Sequence, residues 1–378
     1  MAENTSIEWC DATFNPWTGC TKVSPGCDGC YAESWSKRSG DKVGKWGPGA
    51  PRVRTTPANW RKPLKWDETP FYACSCCGWR GDRPTYDVLG SDVAAASCPH
   101  CVDAGRDHVL RIARRRVFCA SLADVFDNEV PVEWRSDLLE LIAVTPNLDW
   151  LLLTKRIGNA ARMIAEAQGD RPPISKWAAW PLPNVWLGAT IVNQPEADRD
   201  IPKLLATPAT VRFLSMEPLL GPVDLETIHN TDFGEGQPYL HALIGRVSDG
   251  HGDGCNAPSI DWVIVGGESG HGARPMHPDW VRSLRDQCAA AGVPFHFKQW
   301  GEWRPVAVHE ARAGNYRLVS RDERTPIGDG CFHMKHQVEA MAGEAPYDWQ
   351  CPIEKVGKKA AGRLLNGIEH NGFPGGAA

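Results

Sequence analysis

The sequence predicts an α/β protein built as a partial (βα) barrel and interrupted by a zinc-ribbon-like module. Three observations carry this expectation. Short apolar runs alternate with helix-periodic segments, polar side chains gather where the runs end, and two paired-cysteine knuckles sit in a stretch that breaks the rhythm.

The runs are Val117–Ser121, Trp150–Thr154, Val185–Thr190, Val211–Met216, Trp262–Gly266 and Pro294–Lys298, each short enough for a buried strand. Between them, Val132–Val144, Gly158–Gln168, Gln194–Leu205 and Pro278–Ala291 repeat apolar residues at helical spacing. Alternation of this kind predicts a mostly parallel sheet. Trp is unusually abundant at 17 residues, and Trp150, Trp186 and Trp262 sit where a run begins, as packing residues do.

Chemistry in such a barrel collects where the strands end, at the C-terminal face. Ser121 and Asp124, Thr154-Lys155-Arg156, Thr190 with Asn193, Glu217, Glu268 with Ser269, and Lys298-Gln299 fall there. As a set they predict a polar mouth, with Glu217, Glu268 and Lys155 as candidate catalytic residues. Gly266 and Gly267 precede Glu268, and the segment lacks the spacing and lysine of a phosphate loop. Those glycines are read instead as cofactor-binding positions where backbone approaches a ligand closely.

The N-terminal region carries Cys20, Cys27 and Cys30 spaced C-x6-C-x2-C, each preceded by a glycine. Three thiolates with no fourth ligand nearby suit a cubane 4Fe-4S cluster, with three irons anchored and one left open for chemistry. Two other readings stand beside it: a zinc site that recruits Cys10 as fourth ligand, or a set of buried free thiols.

The interruption runs from about residue 70 to 116 and holds Cys74, Cys77, Cys98 and Cys101 in a C-x2-C-x20-C-x2-C spacing. Paired knuckles of this type supply four thiolates to a structural zinc. Cys76 makes the first knuckle ambiguous. The basic run Arg111–Arg116 that follows is either a phosphate-facing surface or a solvated connector. A second interruption, from Pro222 to Asp261, is rich in Gly, His and Asp and predicts a mobile loop or insertion over the mouth. The expected organisation is therefore residues 1–69 for the cysteine loop and barrel start, 70–116 for the insert, 117–305 for the barrel body with the loop at 222–261, and 306–378 for a C-terminal region.

The formal charge of −5 argues against a protein that coats nucleic acid through bulk electrostatics, although a local basic patch can still hold a strand. No apolar run reaches the roughly 18 residues of a membrane span, and the first residues lack a secretory pattern. The expected location is cytoplasmic, with no membrane partner. The 14 cysteines are then metal ligands and free thiols rather than disulfides.

Asn15-Pro-Trp-Thr-Gly-Cys20, Gly26-Cys27-Asp-Gly-Cys30-Tyr-Ala32, Leu152-Leu-Thr-Lys-Arg156, Glu217-Pro-Leu-Leu-Gly-Pro222, Val263–Gly270, Arg274-Pro-Met-His-Pro278 and Phe297-Lys-Gln-Trp-Gly301 together resemble a family of phage and prophage proteins known for a three-cysteine motif. More distantly, this pattern resembles the radical S-adenosylmethionine superfamily. That resemblance implies a partial barrel of radical-SAM type, with Cys20, Cys27 and Cys30 as ligands of a 4Fe-4S cluster and S-adenosyl-L-methionine on the open iron. The chain departs from the usual C-x3-C-x2-C spacing by three extra residues, and Gly29 replaces the common aromatic before the last cysteine.

The function this implies is radical modification of a nucleobase in phage DNA, in the host cytoplasm, with an electron donor such as flavodoxin. A bulky group at the thymine 5-position blocks restriction nucleases that read the major groove. A glycyl group attached there suits radical rearrangement, so thymidine hypermodification by an isomerase is the leading expectation. Repair of DNA photoproducts by a lyase, a small-molecule radical enzyme, and a non-enzymatic module that docks a partner are the alternatives.

Overall fold

All six apolar runs form strands of one sheet, and a seventh precedes them. The computed structural model describes residues 5, 7–40, 43–86, 96–103, 110–169, 180–229, 239–248, 255–306, 316–320 and 350–375. The strands are β1 (Ala12–Thr13), β2 (Arg115–Cys119), β3 (Leu148–Thr154), β4 (Val185–Thr190), β5 (Val211–Met216), β6 (Trp262–Gly266) and β7 (Phe295–Gln299). They lie side by side in chain order, every pair parallel, and curl into a half-barrel.

Helices α2 (Val132–Ala143), α3 (Ile157–Gln168), α4 (Gln194–Ala206) and α5 (Pro278–Ala291) supply four of the crossovers, while α1 (Tyr31–Arg38) follows the cysteine loop. Their ends are written in local chemistry. The Asn193 side chain accepts from the Glu196 backbone N–H at 3.1 Å to start α4, and Gly292 ends α5 in the left-handed region at φ 68°.

Alternation along the strands sorts the side chains into two layers. Val117, Trp150, Leu152, Val185, Leu187, Leu214, Val263 and Val265 face the helices and join the main core. Phe118, Leu151, Trp186, Phe213, Trp262 and Ile264 face inward and pack with Trp9 and Cys10 as a separate cluster. Trp262 is its hub, 5.8 Å from the Phe213 ring, 6.0 Å from Trp186 and 4.9 Å from Phe373. Gly188 takes part by omission, because a Cβ there would lie 2.3 Å from the Phe213 ring. This aromatic layer fills the N-terminal half of the barrel and floors whatever lies above it.

Between β5 and β6 the crossover helix is replaced. Ile228–His229, Tyr239–His241, Arg246–Ser248 and Cys255–Asn256 form a four-stranded antiparallel sheet. Its Ile228, Leu240, Ala242 and Leu243 join the helix-side core, and the His229 backbone N–H donates to Asp198 of α4 at 3.1 Å. The segment expected over the mouth therefore packs on the outer layer instead, where apolar side chains find the core that a helix would have covered. Residues 230–238 and 249–254 of it, with the Gly250–Gly254 run, lie outside the described residues.

The insert is tied to the other pole. Its strands Tyr72–Ala73, Arg80–Gly81 and Arg111–Ile112 make a small antiparallel sheet. Arg80 forks onto Asp11, 2.9 Å from each carboxylate oxygen, and Arg115 meets Asp82 at 2.6 Å. Asp11 precedes β1 and Arg115 opens β2, so this anchor sits at the N-terminal ends of the strands. The chain after β7 adds a three-stranded antiparallel sheet of Trp303–Pro305, Gln350–Lys355 and Tyr316–Ser320, then returns under β7, where Trp262 Nε1 donates to the Gly372 carbonyl at 2.8 Å. No helix among the described residues is long and apolar enough to cross a membrane.

Candidate functional site

The C-terminal ends of the strands enclose a cavity of about 630 Å³. Its lining brings together Cys20, Cys27 and Cys30 with Ser121, Asp124, Lys155, Arg156, Thr190, Glu217, Glu268, Ser269, Lys298 and Gln299. All three cysteines of the loop and every strand end singled out in the sequence contribute to it. Asn193, at the N-cap of α4, is not among the lining residues.

The cysteine loop is built by local rules and then clamped from two sides. Ser24 caps the short 3-10 turn Pro25–Cys27 by accepting from the Gly26 N–H at 3.0 Å, and Cys30 is the N-cap residue of α1. On one side, Arg274 holds the loop. Its guanidinium and backbone N–H make three 2.8 Å hydrogen bonds to the Glu268 carboxylate. The same guanidinium reaches the Pro25 carbonyl at 2.8 Å and Asp28 at 3.1 Å. Glu268 is 7% exposed and stands against the loop so closely that a Cβ on Gly29 would lie 2.6 Å from its Oε1. The glycine that departs from the usual aromatic thus has a physical reason here.

On the other side, Arg156 contacts the first cysteine. Its Nη1 lies 3.4 Å from Cys20 Sγ and 3.3 Å from Asp124, and its Nη2 donates to the Thr21 carbonyl at 2.5 Å. Asp124 is a hub that also accepts from Thr154 Oγ1 at 2.7 Å and from the Lys155 N–H at 3.0 Å. Burial, with the Asp124 charge behind it, pushes the Cys20 thiol up to about 11, while Arg156 pulls the other way. A metal or cluster would supply the positive charge that a thiolate needs at this position.

Glu217 and Lys298 form the third pair, at 2.8 and 2.9 Å, and Gln299 adds a 3.0 Å hydrogen bond to the same carboxylate. Lys155 Nζ lies 3.4 Å from Thr190 Oγ1. Of the two glycines expected to approach a cofactor, Gly267 lines the cavity and Gly266 does not, and the chain itself packs against the Cβ side of both. A Cβ on Gly267 would meet the Trp300 carbonyl at 2.0 Å, and one on Gly266 would meet the Glu217 side chain at 3.2 Å.

Cys10 stands apart from the three thiols. It is 7% exposed in the aromatic layer, donates to the Ile7 carbonyl at 3.9 Å, and burial pushes its thiol far up. Cys10 is not among the residues that line the cavity with the three cysteines of the loop. Nor do Cys20, Cys27 and Cys30 close into a tetrahedral zinc set: among the described residues, the one group of at least three ligand atoms within 4.8 Å of one another is Cys74, Cys77, Cys98 and Cys101.

In the insert the thiols do close. Cys74 and Cys101 Sγ are 3.8 Å apart, and Cys77 and Cys98 Sγ 3.4 Å. Tetrahedral zinc with Zn–S of about 2.3 Å places its sulfurs about 3.8 Å apart, so this four-cysteine group can bind a metal such as zinc. Cys76 is exposed and outside the group. Although burial works to raise the Cys74 thiol, the Cys77 and Cys76 N–H groups outweigh it and bring it down to about 7.

The basic run is mostly spent on internal contacts. Arg114 pairs with Asp149 at 3.6 Å, Arg115 with Asp82, and Arg116 lies 3.8 Å over the Phe373 ring, with Arg111 left exposed. Its place at the foot of the barrel removes it from the mouth. Sequence reasoning missed Arg274 as the loop clamp. The Arg-Pro-Met-His-Pro segment was visible, but nothing in its spacing points to a loop 246 positions away.

No curated protein and no solved structure matches the chain. One family model does, over residues 4–374, and by that match the chain belongs to the family described as "Protein of unknown function (DUF5131)".

Proposed function

We propose that this chain is a radical S-adenosyl-L-methionine enzyme of phage type, with a 4Fe-4S cluster on Cys20, Cys27 and Cys30. The observation that carries the reading is the placement of three thiols on one loop at the C-terminal mouth of a parallel half-barrel. The chemistry such a group supplies when bound is one-electron cleavage of a sulfonium carbon–sulfur bond, followed by hydrogen abstraction from an unactivated carbon.

The chain's own part is to hold, orient and exclude. Glu268 and Arg274 keep the loop seated. Glu217, Lys298, Gln299 and Lys155 offer charged and amide groups to the polar atoms of cofactor and substrate, and charge-assisted hydrogen bonds of this type are worth roughly 1.5–3 kcal/mol each. The aromatic floor keeps water from entering from below.

The substrate in this reading is a nucleobase of DNA, with rearrangement of a glycyl group on thymine as the concrete case and escape from restriction as its use. The resemblance to phage proteins supports it, and a single base extruded from its strand suits a cavity at the mouth of the half-barrel. A free small molecule is the second reading. It is favoured by the position of the basic run at the far pole, away from the mouth, with Arg114 and Arg115 paired to acids there.

Anaerobic reconstitution followed by incubation with S-adenosyl-L-methionine and dithionite tests the enzyme reading. Roughly four irons per chain at the loop and release of 5′-deoxyadenosine are expected, with iron lost from Cys20→Ala, Cys27→Ala and Cys30→Ala but retained by Cys10→Ala. A protein that binds only zinc and loses it on Cys10→Ala would sink the proposal. New nucleosides in digested phage DNA separate the two substrates.

A further inference from the structure

We propose that Arg156 sets the reduction potential of the cluster assigned to Cys20, Cys27 and Cys30, with Asp124 as its electrostatic counterweight; the proposal rests on the cluster reading. Three features carry it. The guanidinium is aimed at a ligand sulfur, 3.4 Å from Cys20 Sγ. It is held there by two further anchors, Asp124 at 3.3 Å and the Thr21 carbonyl at 2.5 Å. Both side chains of the Arg156–Asp124 pair are 7% exposed, so solvent screens their charges little.

Potentials of iron–sulfur clusters follow net charge and hydrogen bonds to sulfur. The step at issue is a one-electron reduction, in which an external low-potential one-electron carrier is oxidised, the cluster is reduced, and no proton or leaving group moves. The reduced form carries one more negative charge. A fixed cation beside Cys20 therefore stabilises it more than the oxidised form and raises the potential, and a fixed anion at Asp124 lowers it. Arg156 acts through Cys20, which makes it a positioning residue rather than a catalytic one. The two side chains touch each other yet push the potential in opposite directions, a signature that general loosening of the loop does not produce.

The experiment is potentiometric titration of the anaerobically reconstituted full chain, followed by visible absorbance and electron paramagnetic resonance, with iron assayed in the same samples. Arg156→Gln is expected at a more negative midpoint than the parent, Arg156→Lys between the two, and Asp124→Asn at a more positive midpoint. Should Arg156→Gln fail to retain iron, Arg156→Lys and Asp124→Asn decide. Variants with parental iron content and an unmoved midpoint overturn this inference and leave the cluster reading standing. A parent protein that takes up no cluster at the loop overturns both.

Discussion

Glu217 and Glu268 end neighbouring strands, and their partners separate their roles. Glu217 is shared by Lys298 and Gln299 inside the cavity, whereas Glu268 is covered by Arg274 and braces the cysteine loop. Glu217→Gln is therefore expected to keep parental iron content while lowering turnover tenfold or more, the consequence of losing about 1.5–3 kcal/mol of charge-assisted hydrogen bonding. Glu268→Gln or Arg274→Met should instead release the loop and lower iron retention first. Iron assay and 5′-deoxyadenosine release on the same preparations check this, and equal iron loss in both glutamate variants would erase the distinction. Both acids and Lys155 were legible in the sequence because each lies within two residues of the end of an apolar run. Their partners were not. The Arg274–Asp28 contact joins distant points of the chain, and only the curl of the sheet brings them together.

At the scale of elements, the alternation of apolar runs revealed six strands and four helices to within a few residues. It missed β1, since two residues carry no period, and it missed the sheet between β5 and β6, whose strands are two or three residues long. The four-cysteine spacing showed the zinc knuckles but not their location, because that depends on Asp11 and Asp82 at the foot of the barrel. Among the described residues, the insert's own apolar cluster is small: Cys74, Cys98, Cys101 and Leu110, with Tyr72 and Trp79 packed alongside. A metal bound to such a module would supply much of its folding free energy. Chelation should expose it to protease, with cuts confined to residues 70–114 and the half-barrel, which begins again at Arg115, intact. Digestion that spreads through the strands at the same rate would show that the insert is not a separate stabilising unit.

For the whole molecule, the aromatic floor links acidity to stability. His296, on the inner face of β7 beside Trp262, is 1% exposed. Burial first, with Arg363, Lys298 and Arg116 behind it, pushes its imidazole from 6.5 down to about 3. The unfolded chain thus accepts a proton that the folded chain refuses through that window, and stability must fall as pH drops from about 6.5 towards 3. Urea unfolding at pH 7 and pH 5 should show the decline in the parent and a flatter response in His296→Leu; identical slopes would mean the ring is not held neutral. The two cysteine sets lie at opposite poles, with separate scaffolds and no shared residue. Metal supply can therefore err at one without the other registering it. A compact tetrahedral S4 site accepts iron as well as zinc on geometric grounds, so if the loop carries the proposed cluster, cells rich in iron are expected to yield protein with a red, mononuclear foot beneath a brown mouth. Total iron would then overstate the loop's occupancy, and spectra rather than elemental counts become the measure of how full the mouth is.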